Sequence, residues 1–471
     1  MLAHNYRLSE LFEGMKWHQL VELILAAGVM VAIPISYHIT IWLFYVLMGY
    51  GIIRHIVMLR RESSGKSVIE GPAIWKQFDF WGKLALGLTA GFWGLYVLSM
   101  IWSENISEGT QRIIVMLPLL LGSVYIATAG SRFLTTKRIR ALGNIFICAI
   151  VVLFAVKLCI ALEKLIFEGC ELKDVWSTRF HKQPYTYMSM YLAAGLCYVF
   201  MEWLKGGYAQ RRWWMIVAMV VMWMWTIIAN SRAGMLTMYV LTLAMGVVLG
   251  LETSRATTAL KGWMKGIVFV SVVWGASLGI NASLPDNLQR LTNTIENEVK
   301  IANEKKSVTE EKDTTEKPKE DARKSLFKCG WAVVQRGPWY GYGVGDAENA
   351  LVVEFEDYGY TSGVKERQNA HDQYMDALLT GGWFYLIVLV LIMGMVAITC
   401  MKNGVTAGWL YMGVMALNLC FESMLYREVG MIPFMVFTGG LLVLCRRDMK
   451  EPEIPFSGLT AVEEKSIGIG S

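Results

Sequence analysis

The chain has 471 residues, 55% of them hydrophobic and only 18% charged, with a positive mean hydropathy and a formal net charge of +5. No single water-soluble core can absorb that share of apolar side chains, so the balance excludes a soluble globular domain and points to a membrane protein. The charge gives no sign of nucleic-acid binding, because the cations collect in short loops between apolar runs instead of forming one patch.

Residues 1–14 mix acids and bases and lack a cleavage pattern, so this opening is expected to stay attached. Apolar runs follow near 19–35, 39–58, 80–102, 111–129, 142–165, 185–204, 213–229, 235–251, 263–280, 383–401, 407–420 and 431–445. Most are long enough to cross a hydrocarbon core of about 30 Å at 1.5 Å per residue, which predicts an all-α polytopic protein with about twelve transmembrane helices. Glu22 interrupts the first run, and the eleventh is short and ends against Glu422.

Lysine and arginine stay with cytoplasmic loops because their translocation is disfavoured. The basic loops hold Arg60, Arg61 and Lys66; Arg132, Lys137, Arg138 and Arg140; Lys205, Arg211 and Arg212; Arg255, Lys261 and Lys265; and Arg446 with Arg447. The loops between them are nearly free of cations, as at Trp102-Ser103-Glu104-Asn105. This alternation puts both termini inside, on the cytoplasmic side of the membrane. It divides the chain into nine spans within 1–280, a large outer loop at 281–382, three spans within 383–446 and a cytoplasmic tail at 447–471.

Of the eight cysteines, 148, 159, 197, 400, 420 and 445 fall in predicted spans, where a small apolar residue is the ordinary reading. Cys170 and Cys329 fall in the two long outer segments, where an oxidising compartment would allow a bridge. No metal-ligand spacing appears, and no cofactor is expected.

In the outer loop, residues 296–325 are dense in Glu, Lys, Asp and Thr and read as a flexible charged insertion. Order is expected to return at Leu326 and Phe327, in a short helix halted by Gly337-Pro338. Gly341, Gly343 and Gly345 have no strand, crossover helix or acidic partner around them, so they read as a tight turn and not a dinucleotide loop. The stretch 368–382 predicts an outer helix over 369–380, capped by Asn369 and ended by Gly381-Gly382, with His371, Tyr374, Met375 and Leu378 on one face. A histidine in the first helical turn feels the positive end of the dipole, which predicts a lowered pKa and a neutral imidazole able to accept a proton.

Three arginines at the outer boundary run against the charge rule and so are functional candidates. Arg112 starts the fourth span and reads equally as a cation snorkelling to headgroups. Arg232 lies in NSRAGM among small residues that suggest close packing. Arg323 closes the charged insertion. His181 opens the sixth span beside Tyr185 and Tyr187, where a headgroup contact is the commoner reading. Glu422 and Arg427 share the last outer loop, where they either pair with each other or complete a site.

The order of these pieces resembles the bacterial O-antigen ligase and polymerase family. It comprises Arg232 in an SRAG-like motif before a span, Arg323 before an aromatic-containing helix, a Pro338-to-Gly343 turn (PWYGYG), and His371 to Tyr374 (HDQY) leading back into the membrane. Arg112 before the Leu117-to-Leu121 run, and His181 with Pro184 and Tyr185, resemble further family features. Asp372 departs from the commoner His-Asn-x-Tyr form. The resemblance implies a periplasm-facing, metal-independent glycosyltransferase that moves a glycan from undecaprenyl diphosphate to a hydroxyl of lipid A-core. On that reading His371, Arg232 and Arg323 are catalytic, while Arg112, His181, Tyr374 and Glu422 bind substrate, with membrane lipids around them. A repeat-unit polymerase acting on a glycan acceptor and a protein O-glycosyltransferase are the alternatives within the class. A transporter is the alternative outside it, although no repeat or midplane polar cluster supports one.

Overall fold

The computed structural model describes residues 12, 15–63, 74–128, 133–167, 185–205, 212–229, 231–256, 258–283 and 322–449. Among them the protein is helical throughout, with no strand. The helices are α1 (Trp17–Ile35), α2 (Tyr37–Ser63), α3 (Ile74–Gln77), α4 (Phe80–Ser99), α5 (Ile106–Ala127), α6 (Thr136–Phe167), α7 (Tyr185–Leu204) and α8 (Arg212–Ala229). They continue as α9 (Arg232–Ala256), α10 (Ala259–Ser283), α11 (Ala322–Arg336), α12 (Ala347–Tyr358), α13 (Thr361–Glu366), α14 (Gln373–Lys402), α15 (Thr406–Leu419) and α16 (Glu428–Leu444).

Eight of the described helices (α1, α2, α4, α5, α6, α9, α10 and α14) are long and apolar enough to cross a membrane, and this makes the chain a multi-pass membrane protein. The expected count of twelve is not reached. The other four runs are helical, but α8 and α16 are shorter apolar helices, α15 has 14 residues, and α7 falls outside the eight. The reason is visible in α7, which is buried along almost its whole length. A helix surrounded by other helices needs less hydrophobicity than one facing lipid, and α7 carries Tyr187, Ser189, Tyr191 and the buried Glu202. Glu22 is likewise compatible with α1, because it is fully buried against the Arg54 guanidinium of α2 at 3.0 Å.

The main core joins α1, α2, α4 to α9 and α14 to α16 into one apolar cluster. A second, small core lies at one end of the bundle, where Leu326, Cys329 and Val333 of α11 meet Leu351 and Phe355 of α12 and Met375 and Leu379 of α14. Cys170, His181, Asn230 and the insertion up to residue 321 lie outside the described residues.

The join between the two cores is a broken helix. Within α14, Gly381 (φ −131°) and Gly382 (φ 64°, ψ −157°) leave the helical region, so the pair ends the outer helix as expected, and a second helical segment follows directly from the break. The break frees backbone groups, and the turn after Pro338 satisfies them. Tyr342 N donates to Leu379 O at 2.8 Å, Gly343 N to Thr380 O at 2.9 Å, and Trp383 N to Trp339 O at 3.2 Å. A Cβ on Gly382 would collide with the Trp339 carbonyl, and one on Gly341 (φ 77°) would stand 2.6 Å from Gly382 N. The glycine-punctuated turn is therefore a plug for a helix break. It also holds the start of α5, where the Asp346 carboxylate accepts from Glu104 N (2.6 Å) and Asn105 N (3.2 Å).

Candidate functional site

His371, Asp372, Gln373 and Tyr374 each do a different job where the small core meets the bundle. Asp372 is the N-cap of α14, its carboxylate accepting from Tyr374 N at 2.8 Å and Met375 N at 3.1 Å. The cap is thus Asp372 and not the expected Asn369, whose Oδ1 instead accepts from His371 N at 3.1 Å. Buried Gln373 accepts from Leu425 N at 2.7 Å, and the Tyr374 hydroxyl donates to Ala416 O at 2.8 Å. Gln373 ties α14 to the α15–α16 connection and Tyr374 ties it to α15 itself. The single face expected for this segment is also corrected: Tyr374 packs on the main core and Met375 on the small one, because neighbours on a helix are about 100° apart.

With those three residues holding the frame, His371 projects from a left-handed backbone (φ 49°) just before the cap. That conformation is unfavourable for a residue with a Cβ, and persists where surrounding structure imposes it. Its Nδ1 lies 3.0 Å from Glu422 Oε1, with the imidazole 38% exposed and the carboxylate 14% exposed. The hydrogen bond to Glu422 raises the pKa above the ordinary imidazole value and outweighs burial, which lowers it. The Glu422 and Asp376 charges push it further up and Arg323 opposes them. This corrects the expected lowered pKa. The helix N-terminus is a partial charge one residue further on, whereas Glu422 is a full charge in contact.

Arg323, in the first turn of α11, is exposed and near enough to act on the imidazole. Arg232 opens α9. Beside it Ser231 Oγ accepts from Gly234 N at 3.2 Å, and a Cβ on Gly234 would press on Ser189 of α7 at 2.6 Å, so the SRAG-like turn packs tightly against α7. At that same end of α7, Tyr187 lies within electrostatic reach of Glu422, Arg427 and Asp376. Arg427 is exposed and, among the described residues, forms no ion pair, so in the last outer loop Glu422 contacts His371 and not Arg427.

Arg112 is buried and engaged. Its Nη2 pairs with Glu348 Oε2 at 2.9 Å, its Nη1 donates to Tyr426 O at 3.2 Å, and its guanidinium stacks on the Tyr426 ring. Glu348 also accepts from the Tyr426 hydroxyl at 2.6 Å and pairs with Arg367 at 2.8 Å. This network links α5, α12, the α13–α14 turn and the residues before α16 around a polar pocket lined by Arg112, Glu348, Asn369, Gln373, Asp376 and Tyr426. Asp376 is buried there, and its Oδ2 has no hydrogen-bond partner among the described residues.

Sequence reasoning missed Glu348, Gln373 and Asp376. Asp376 carried a signal, since an acid one turn after Asp372 in an otherwise apolar helix has to be buried in a polar setting. Glu348 carried none, because only the fold opposes it to Arg112. Among the described residues no cluster of three His, Cys, Asp or Glu side chains could hold a metal ion.

Residues 217–390 match the O-antigen ligase family, a stretch that includes Arg232, Arg323, His371 and Tyr374 and leaves Arg112, His181 and Glu422 outside. No curated protein matches the chain.

Proposed function

We propose that this multi-pass membrane protein, a member of the O-antigen ligase family by residues 217–390, transfers a glycan from a polyprenyl diphosphate donor to a hydroxyl of lipid A-core. His371 is the proton acceptor. With Nδ1–H donated to Glu422, the Nε2 lone pair is left for the acceptor hydroxyl, and the carboxylate stabilises the imidazolium that forms. The hydroxyl oxygen bonds to the anomeric carbon, the bond from that carbon to the diphosphate oxygen breaks, the diphosphate leaves with the electron pair, and the proton passes to Nε2.

The leaving group gains negative charge, which preorganised guanidinium groups can meet with two parallel hydrogen bonds. Arg323 and Arg232 take this role without a metal ion, and exposed Arg427 extends the basic rim. Arg112, held by Glu348 and Tyr426, positions the frame instead. Tyr374 does the same through Ala416. His181, outside the described residues, keeps the substrate-binding role that the resemblance implies, and the site is taken to face the periplasm.

The observation that carries this reading is the His371–Glu422 contact at 3.0 Å, on a histidine held at positive φ within the family segment. The test is donor binding and glycan transfer by reconstituted protein with EDTA present. Transfer is expected to persist in EDTA and to vanish in His371→Ala with donor binding kept. Activity lost on chelation and restored by a divalent cation overturns the metal-free mechanism. In a deletion strain, lipid-linked polymer accumulating without polymer on lipid A-core supports a ligase, whereas single capped repeats identify a polymerase.

A further inference from the structure

Asp376 is a buried acid close to the His371–Glu422 pair but outside it. It lies one turn after the cap Asp372, within the outer helix that Gly381-Gly382 ends, and is only 7% exposed. A carboxylate withdrawn from water to that degree is costly unless donors and a countercharge are fixed around it.

Those groups reach it from three directions. Arg112 of α5 lines the same small polar pocket and supplies the countercharge. On its own segment the backbone N–H of Ala370, the residue immediately before His371, is in range of the carboxylate. From the α15–α16 connection comes the hydroxyl of Ser423, the residue immediately after Glu422. Ser423 Oγ and Asp376 Oδ2 are both buried, and neither closes a hydrogen bond to another described residue, so each is left to the other. One turn back on the same helix face, Gln373 accepts from Leu425 N at 2.7 Å, so positions i and i+3 of α14 both address the turn that carries Glu422. The other titratable groups in reach are Tyr96 of α4, Tyr187 of α7, and Asp372 and His371 on its own segment.

This placement bears on the reacting pair. His371 stands at φ 49°, a conformation that its surroundings must impose, and Glu422 belongs to a separate, non-helical turn. Their 3.0 Å contact therefore depends on how two chain segments are held together, and Asp376 meets the residue next to each. We propose that Asp376 is a positioning residue, its buried carboxylate clamping the Ala370–His371 turn to the Glu422–Ser423 turn. The proposal rests on the proton-acceptor role of His371, through which Asp376 acts. Its charge adds to that of Glu422 in favouring the imidazolium.

The test reads His371 without a glycan substrate. Diethyl pyrocarbonate acylates neutral imidazole, so the pH dependence of His371 modification, mapped by peptide mass spectrometry on the full-length protein in detergent, follows its protonation. Asp376→Asn keeps the size and removes the charge. The modification midpoint should move to lower pH than in the native protein, and transfer should fall about a hundredfold with donor binding kept, as for a misplaced reacting group. Should Asp376→Asn fail to fold, Ser423→Ala keeps the charge but releases the Glu422 side, and transfer should fall about tenfold, as for one lost hydrogen bond to a charged group. Native transfer in the variant that folds overturns the clamp. So does a native midpoint in Asp376→Asn with transfer lost only in step with thermal stability, and in both cases His371 keeps its role. Full transfer by His371→Ala overturns the proton-acceptor reading itself, whatever the Asp376 variant does.

Discussion

The two ends of the bundle solve opposite problems with the same helices. At the His371 end, charges are partly withdrawn from solvent and tied: Arg112 to Glu348 and Tyr426, Glu348 to Arg367, and His371 to Glu422. At the far end the interior is apolar, and the charges stand on the rim of an open cavity. A charge taken out of water must be met by fixed partners, which imposes geometry, whereas an apolar void sets only volume.

The sharpest way to break this comparison is to remove the group on which the catalytic reading depends. His371→Ala should reduce transfer by roughly 10²- to 10⁴-fold, the range usual for a positioned acid or base, with donor binding little changed. Reconstituted transfer and donor-binding assays measure both, and full activity at normal expression would sink the assignment.

Arg323→Lys comes next. It keeps the charge but loses the planar fork, so transfer should fall about tenfold if a diphosphate is gripped by two hydrogen bonds. Arg232→Lys should behave alike, and near-normal rates in both would show that only net charge matters.

Arg112→Ala tests the tied end by stability instead of rate. Glu348 keeps Arg367 and the Tyr426 hydroxyl when Arg112 is removed, so the loss is that of one charge-assisted hydrogen-bonded contact, about 1–3 kcal/mol, and the thermal midpoint in detergent should drop below that of the native protein. Equal midpoints would mean that the network is solvated and carries little.

Glu422→Gln is a gentler probe. In the native protein Glu422 raises the His371 pKa, so the acid limb of the pH–rate profile should lie above the ordinary imidazole range and move down in the variant, which would gain relative activity in mildly acidic buffer. By linkage, the pair's contribution to stability is fully present at low pH and lost as pH rises through the raised pKa. An unmoved limb would remove Glu422 from the proton path.

The smallest effect is expected from deleting 303–318, which should leave folding and much of the activity intact because that composition buries little. Complete loss of transfer at a normal protein level would make the segment a lid or acceptor dock.

Much of the outline was legible because membrane insertion and translocation act on local sequence. Apolar runs, the Gly341-to-Gly345 turn and the family segment read correctly at the level of helices and motifs. The span count did not, since hydropathy measures exposure to lipid and α7 is enclosed by protein. The His371 environment was only half legible. The sequence placed a histidine before a helix, yet the sign of its pKa shift depends on Glu422, 51 residues away.

By itself, then, the sequence determined a helical membrane chain, its family segment, and the group of residues HDQY, because periodicity, hydrophobicity and short motifs are properties of neighbours along the chain. Tertiary structure alone decided that Asp372 caps, Gln373 and Tyr374 brace and His371 pairs with Glu422, that Arg112 belongs to Glu348, and that Gly440 borders an open void. Those outcomes depend on which side chains meet across helices, and a buried charge or cavity exists only once the helices have packed.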